Sequence, residues 1–403
     1  MSTNLASQLS LNHGGRILLA VMDGVGDIPI PEFGGLTPLE KAETPNLDKL
    51  ALGGALGQQF PVGRGITPGS GPGHLALFGY DPVKYLVGRG ALAALGIGFQ
   101  LQHGDLAARI NFCSLGDGEV ILDRRAGRIS TELCTELVEA LKHITIPGVE
   151  VFVEPVKEHR ACVIFRGAGL SESIHDTDPG LVGEKPLPVT ATAPGAERAV
   201  EVVRQFIGKA SLILKDKTPA NGLLLRGFAL HEALPTLTDR FKLKPAAVAL
   251  YPMYRGVASL AGMAQYQSDP ADLTGEIQAA KNALKDGKDF VFLHHKYTDS
   301  SGEDGDHKRK VAEIEKFDKA VPGLLECGFD VICITGDHST PCPMKLHSWH
   351  PVPVLIHGGP QRTGWSRRFT EREAASGALG TFQGYELMSL LLAAAGRLAK
   401  FGA

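Results

Sequence analysis

Apolar runs that stop abruptly at glycine and acid recur along this chain. Residues 16–22 lead into Asp23-Gly24-Val25-Gly26, residues 290–293 into His294-His295-Lys296-Tyr297-Thr298-Asp299, and residues 331–334 into Thr335-Gly336-Asp337-His338. A short continuous apolar run has the pattern of a strand buried on both faces. An acid just past its end lies where an α/β sheet opens its carboxyl edge. Further runs at 222–225, 246–250 and 352–356 alternate with long helical patterns. Strands alternating with helices predict an α/β fold built on a doubly wound, mostly parallel sheet. Residues 44–50 read as a helix opened by a Thr44 cap and by Pro45 at its first position.

Between residues 108 and 167 the texture changes to short strand patterns at 109–114 and 120–123, a helix at 131–143, and two more strands at 149–153 and 161–166. This ββαββ pattern predicts a smaller inserted α+β domain over 108–185, with residues 16–107 and 186–403 forming a discontinuous main body. Residues 1–15 are polar and read as a loose tail.

The 403 residues are 43% apolar, enough to bury a core in each of two domains. A formal net charge of -3 supplies no basic field for nucleic acid or an anionic membrane, so an anionic substrate must be held by a few local cations. No apolar run approaches the ~18–20 residues of a membrane span, and no signal region opens the chain. The six cysteines form no C-x-x-C pair and several lie in apolar runs, which suits reduced, packed thiols and a cytoplasmic setting. Whether chains associate is left open.

Asp23, Asp299, Glu303, Asp337, His338, His347 and His350 all follow or flank the predicted strands. They form an oxygen and nitrogen donor set suited to Mn²⁺, Mg²⁺ or Zn²⁺. Two such ions about 4 Å apart would bind a phosphoryl group and activate an oxygen nucleophile. A lone Asp after a strand is more often a cap or turn former; an Asp-His pair with a histidine downstream favours ligation. His294 and His295 point to opposite faces of one strand and suit packing or hydrogen bonding better. Ser70, in Pro68-Gly69-Ser70-Gly71-Pro72-Gly73-His74, taken alone is a loop serine, but beside a metal its hydroxyl can ionise and attack phosphorus. Its surroundings are not the Gly-x-Ser-x-Gly elbow. No dinucleotide fingerprint or phosphate loop is present, and Asp304 and Lys310 spoil an EF-hand. Exposed arginines are usually solvated, yet Arg124, Arg125 and Arg128 are dense enough to clamp a phosphate or carboxylate, with Glu158-His159-Arg160 as a second cationic segment.

In order along the chain, Asp23 in Met-Asp-Gly-x-Gly, the Gly-Ser-x-x-Gly-His of 69–74, the acidic loop 299–306, Asp337-His338 and His347 resemble the cofactor-independent phosphoglycerate mutases of the alkaline phosphatase superfamily. Residues 123–128, 251–256 and 347–353 resemble the archaeal-type branch. The resemblance spans about 16–398 and implies an alkaline phosphatase-like core. It implies that Asp23, Ser70, Asp337 and His338 surround one divalent metal, while Asp299, Glu303 and His347 surround the other. Ser70 would be the nucleophile of a phosphoserine mechanism interconverting 3-phosphoglycerate and 2-phosphoglycerate, with no 2,3-bisphosphoglycerate required. Asn111, Arg125, Arg128 and His159 would hold the substrate under a closing inserted domain, and Lys296 would stabilise transferring charge. Glu303 departs from the family pattern, which places histidine there, and residues 88–96 lack an expected acid. Another phosphotransfer activity on the same scaffold, a phosphatase or a transferase to a small hydroxyl acceptor such as homoserine, is the alternative. A metal-binding protein without catalysis is the third reading.

Overall fold

A computed structural model describes residues 2–85, 87–231 and 234–402. Thirteen strands lie among them: Ile17–Met22 (β1), Gly54–Phe60 (β2), Leu106–Leu115 (β3), Ile121–Asp123 (β4), Glu150–Lys157 (β5), Arg160–Arg166 (β6), Gly222–Leu230 (β7), Pro245–Ala249 (β8), Ala264–Tyr266 (β9), Phe290–His295 (β10), Val331–Thr335 (β11), Val352–His357 (β12) and Gly380–Gln383 (β13). They divide between two units, Met1–Leu86 with Leu234–Ala403, and Val87–Ala233.

The larger unit is built on an eight-stranded sheet in the order β13-β2-β12-β11-β1-β10-β8-β9. Strand β1 is central and buried along its whole length, as its unbroken apolar run requires. It pairs parallel to β10 and β11, with Val21 level with both His294 and Thr335. The residues just past these three strands therefore emerge together at one sheet edge. Leu18, Ala20 and Met22 pack with Ile314, Phe317 and Val321 of the helix His307–Leu325 in one core, each large side chain stabilising the fold by about 1.5–3 kcal/mol. The sheet is mostly parallel as expected, but β12 runs antiparallel to both β11 and β2.

Two local expectations fail here. The helix Pro45–Leu52 does start with proline, but Thr44 caps none of its N–H groups; its hydroxyl donates to Asp48 Oδ1 at 3.2 Å. The first-turn donors Asn46 N–H and Leu47 N–H go instead to Asp318 Oδ1, at 3.0 and 2.8 Å. That carboxylate lies some 270 residues away in sequence, so no local pattern could announce it. The N-terminal segment is not a loose tail either. It forms the helix Ser2–Leu9, with Ser10 bridging Leu398 and the Leu11 N–H donating to Arg397 O at 2.8 Å.

In the smaller unit β3 is the organising strand, antiparallel to both β6 and β7, in a sheet ordered β4-β3-β6-β5 with β7 on the other side of β3. Phe112, Phe165, Leu137 and Phe206 share its core. The helix Thr131–Leu141 is capped by Ser130, whose hydroxyl accepts the Leu133 N–H. The expected limits of this unit, 108–185, are too narrow on both sides. The run at 222–225 was expected in the main sheet, yet it opens β7, whose partner is β3. A short apolar run suits either sheet equally; only pairing decides. Among the described residues no helix is long and apolar enough to cross a membrane.

Candidate active site

The carboxyl ends of β1, β10 and β11 deliver Asp23, Lys296 and Asp337-His338 to one edge of the large sheet. Asp299 follows in the helix Tyr297–Asp304, and Ser70 opens the helix Ser70–Leu77. Close approach is bought by glycine at Gly73, where a Cβ would meet Asp337 O at 2.4 Å.

Asp23, Asp337 and His338, all fully buried, bring donor atoms within 4.8 Å of one another. His338 Nε2 lies 3.3 Å from Asp23 Oδ1, 3.2 Å from Asp337 Oδ2 and 3.4 Å from Ser70 Oγ. Gly24 N–H pins Asp337 Oδ1 at 3.2 Å. Both oxygens of Asp23 and Oδ2 of Asp337 have no hydrogen-bond partner. Burying three carboxylate oxygens that are held by nearby lysine and histidine charges without a well-formed hydrogen bond leaves room for a further cation among them. The residues therefore fit a hard divalent ion, with Ser70 at its margin.

Asp299, His338 and His347 form a second group among the described residues. His347 Nε2 is 3.8 Å from Asp299 Oδ1, and its ring stacks on that of His338 with centroids 3.6 Å apart. Glu303 does not join them. It is exposed in the last turn of its helix, outside both groups, which corrects its expected place beside Asp299 and His347. His350 also lies outside, bonded to Ser348 Oγ at 2.9 Å and stacked on Trp349.

Charge is partly offset within the cluster. Lys296 Nζ sits 3.1 Å from Asp23 Oδ2 and bonds Asp299 Oδ2. Burial pushes the Asp23 carboxyl up, but Lys296, His294 and His338 outweigh it and hold Asp23 well below the usual carboxylate range. Burial disfavours the charged form of His338, yet Asp337, Asp23 and Asp299 raise it to about 9. His294, on the opposite side of β10 from His295, stands 3.3 Å from Asp23 Oδ2 and stacks on Tyr254, and burial lowers it to about 4. His295 meets Glu313 instead, at 3.3 Å. His74 donates Nδ1–H to Ser70 O at 2.8 Å and lies 3.1 Å from Asp337 Oδ2. His74, His294 and Tyr254 form a backing layer, and His294 packs and pairs as its place inside a strand suggested.

The smaller unit carries its own cationic cluster. Asp123 accepts the N–H groups of Arg125 and Gly127, both at 2.7 Å, folding a loop in which Ala126, Gly127 and Arg128 all have positive φ. Such a loop is strained for non-glycine residues. It leaves Arg125 and Arg128 exposed, while Arg124 turns to Asp178 in a bidentate pair with both contacts at 2.8 Å. Buried His159 lies in the β5–β6 turn, and Asn111 is buried on β3. Burial first, then Arg160, Arg109, Arg125 and Arg128, lower His159 to about 4. Arg109, missed in the sequence because it sits inside a strand run, is pushed down to about 9 by burial and by Arg160, Arg89, Arg226 and Arg125. So many mutually repelling cations suit an anion.

Fold and site together fit an enzyme of the phosphoryl-transfer class, with a serine hydroxyl beside a carboxylate–histidine group of a kind that can hold a metal ion. Residues 51–221 match the family described as 2,3-bisphosphoglycerate-independent phosphoglycerate mutase. A probable enzyme of that name from Aquifex aeolicus is 47% identical over 99% of this chain and 100% of its own, and one from Thermus thermophilus is 47% identical over 98% of each. Among solved structures, a Pyrococcus horikoshii protein is 34% identical with TM-score 0.84, covering 97% of this chain and 100% of its own. A cofactor-independent phosphoglycerate mutase from Thermoplasma acidophilum is 32% identical with TM-score 0.72, over 95% and 100%. This chain belongs to the 2,3-bisphosphoglycerate-independent phosphoglycerate mutase family. It is an isomerase of that family, whose name marks it as independent of 2,3-bisphosphoglycerate, and its two donor groups are of a kind that can hold a metal ion.

Proposed function

We propose that this chain interconverts 3-phosphoglycerate and 2-phosphoglycerate through a phosphoserine on Ser70. The observation that carries the reading is the seat of Ser70 Oγ, 3.4 Å from His338 Nε2, beside a buried acid pair three of whose oxygens accept no hydrogen bond. Asp23, Asp337 and His338 would hold one divalent ion, Mn²⁺ or Mg²⁺ before Zn²⁺ on their carboxylate content, with Asp299 and His347 at the other. Bound there, the ions neutralise phosphoryl charge and favour the ionised serine.

Ser70 Oγ forms the new bond to phosphorus as the bond from phosphorus to the substrate's 3-oxygen breaks, and that oxygen takes up the proton the serine gives up. The glycerate turns, its 2-hydroxyl attacks the phosphoserine, and the Ser70 O–P bond breaks with return of the proton. Lys296, fixed by Asp23 and Asp299, keeps a positive charge where phosphoryl oxygens develop negative charge. Arg125, Arg128, His159 and Asn111 are assigned to the substrate's anionic and hydroxyl groups on the strength of their clustering. His159, neutral at pH 7, serves as a hydrogen-bond donor rather than a cation.

The test is an enolase-coupled assay on 3-phosphoglycerate with metal-stripped protein, adding Mn²⁺, Mg²⁺ or Zn²⁺ without 2,3-bisphosphoglycerate. Metal-dependent formation of 2-phosphoglycerate supports the reading. Folded, metal-loaded protein that releases inorganic phosphate instead would make it a phosphatase.

A further inference from the structure

Resting on the metal reading of the site, we propose that Thr340 is a positioning residue that fixes which nitrogen of His338 faces Asp23 and Asp337. Its hydroxyl lies 2.6 Å from Asp299 Oδ1 and 2.9 Å from His338 Nδ1, and it has one hydrogen to give. An ionised carboxylate only accepts, so that hydrogen goes to Asp299. His338 must then donate Nδ1–H to the threonine oxygen. That leaves Nε2 as the nitrogen available to a metal ion, and it is the atom that faces Asp23 Oδ1, Asp337 Oδ2 and Ser70 Oγ. One hydroxyl thus settles the imidazole tautomer in one donor group while orienting the carboxylate of the other.

Thr340 is itself immobilised. Its N–H donates to Gly26 O at 3.0 Å. Its carbonyl accepts from the fully buried Lys310 ammonium at 2.9 Å, which also holds Asp27 Oδ2 at 2.9 Å and Gly26 O at 3.2 Å. Two glycines make room: a Cβ on Gly24 would come within 2.5 Å of Thr340 Oγ1, and one on Gly302 within 2.3 Å of Thr340 O. Because Nδ1 is committed to Thr340, His338 serves the Asp23–Asp337 group, and Asp299 and His347 remain as the carboxylate and histidine donors of the second.

The experiment compares wild type, Thr340→Val and Thr340→Ser by Mn²⁺ titration of metal-stripped protein, with circular dichroism as the check on folding. Valine keeps the shape and loses the hydroxyl; the expected result is roughly 10–100-fold weaker Mn²⁺ binding, with serine restoring affinity to within about threefold. In parallel, ¹⁵N-histidine spectra of Mg²⁺-loaded wild type should show His338 carrying its hydrogen on Nδ1. A valine variant that binds Mn²⁺ like wild type, a serine variant as weak as valine, or a hydrogen on Nε2 would each overturn the assignment. Should valine fail to fold, the wild-type spectrum alone decides. Wild type that bound no Mn²⁺ would overturn the phosphotransfer reading as well, whereas the other failures leave that reading intact.

Discussion

One hydroxyl separates a phosphotransferase from a protein that merely binds metal. Ser70→Ala should cut turnover by at least roughly 10³-fold while Mn²⁺ binding and the melting temperature stay near wild type; retained activity would remove Ser70 as nucleophile. Glu303 tests the opposite case. Exposed and outside both donor groups, it should tolerate Glu303→Ala with Mn²⁺ affinity changed by less than about threefold, against the ~10-fold or greater loss that removing a ligand brings. A larger loss in the titration would return it to the metal. At this scale the sequence was readable where chemistry and position coincide: Asp23, Asp337, His338, Asp299 and His347 are ligand types set at run ends. Thr340 was not, because a hydroxyl acts through whatever the fold places 3 Å away, and spacing is silent about that.

Elements inherit charges as well as shapes. Glu276 lies in the first turn of the helix Leu273–Lys285, buried, with Oε2 lacking a partner. Burial, reinforced by Asp272, lifts its carboxyl from 4.5 to about 8. The folded state then holds a proton that the unfolded chain releases, so stability falls as pH climbs from about 4.5 to 8. Glu276→Gln should remove that slope, giving a melting temperature at pH 8.5 above wild type and a difference that shrinks toward pH 5. Parallel thermal melts across that range check it; a constant offset would place the titration elsewhere. Strand runs such as 16–22 and 331–334 were legible because burial on both faces erases alternation and leaves apolar residues only. The partner of 222–230 and the reversed direction of β12 were not, since pairing is decided by residues far off in the chain.

For the molecule as a whole, the smaller unit is continuous in sequence and owns a core containing Phe112, Phe165 and Phe206. Expressed alone, residues 87–231 should fold, with a single cooperative melt and dispersed amide resonances; an unfolded spectrum would show that its core needs the rest of the chain. The larger unit has no such independence, because its centre is assembled from opposite ends of the chain. Strand β1 is six buried apolar residues, and both its neighbours, β10 and β11, begin only at Phe290 and Val331. During synthesis at roughly 5–20 residues per second, that strand waits on the order of 15–60 seconds with neither edge paired, while the smaller unit gathers all its strands in the interval. A nascent chain of this kind offers a greasy segment to chaperones and to its neighbours on the polysome long before its partner strands exist, and its donor groups meet only after those strands are made.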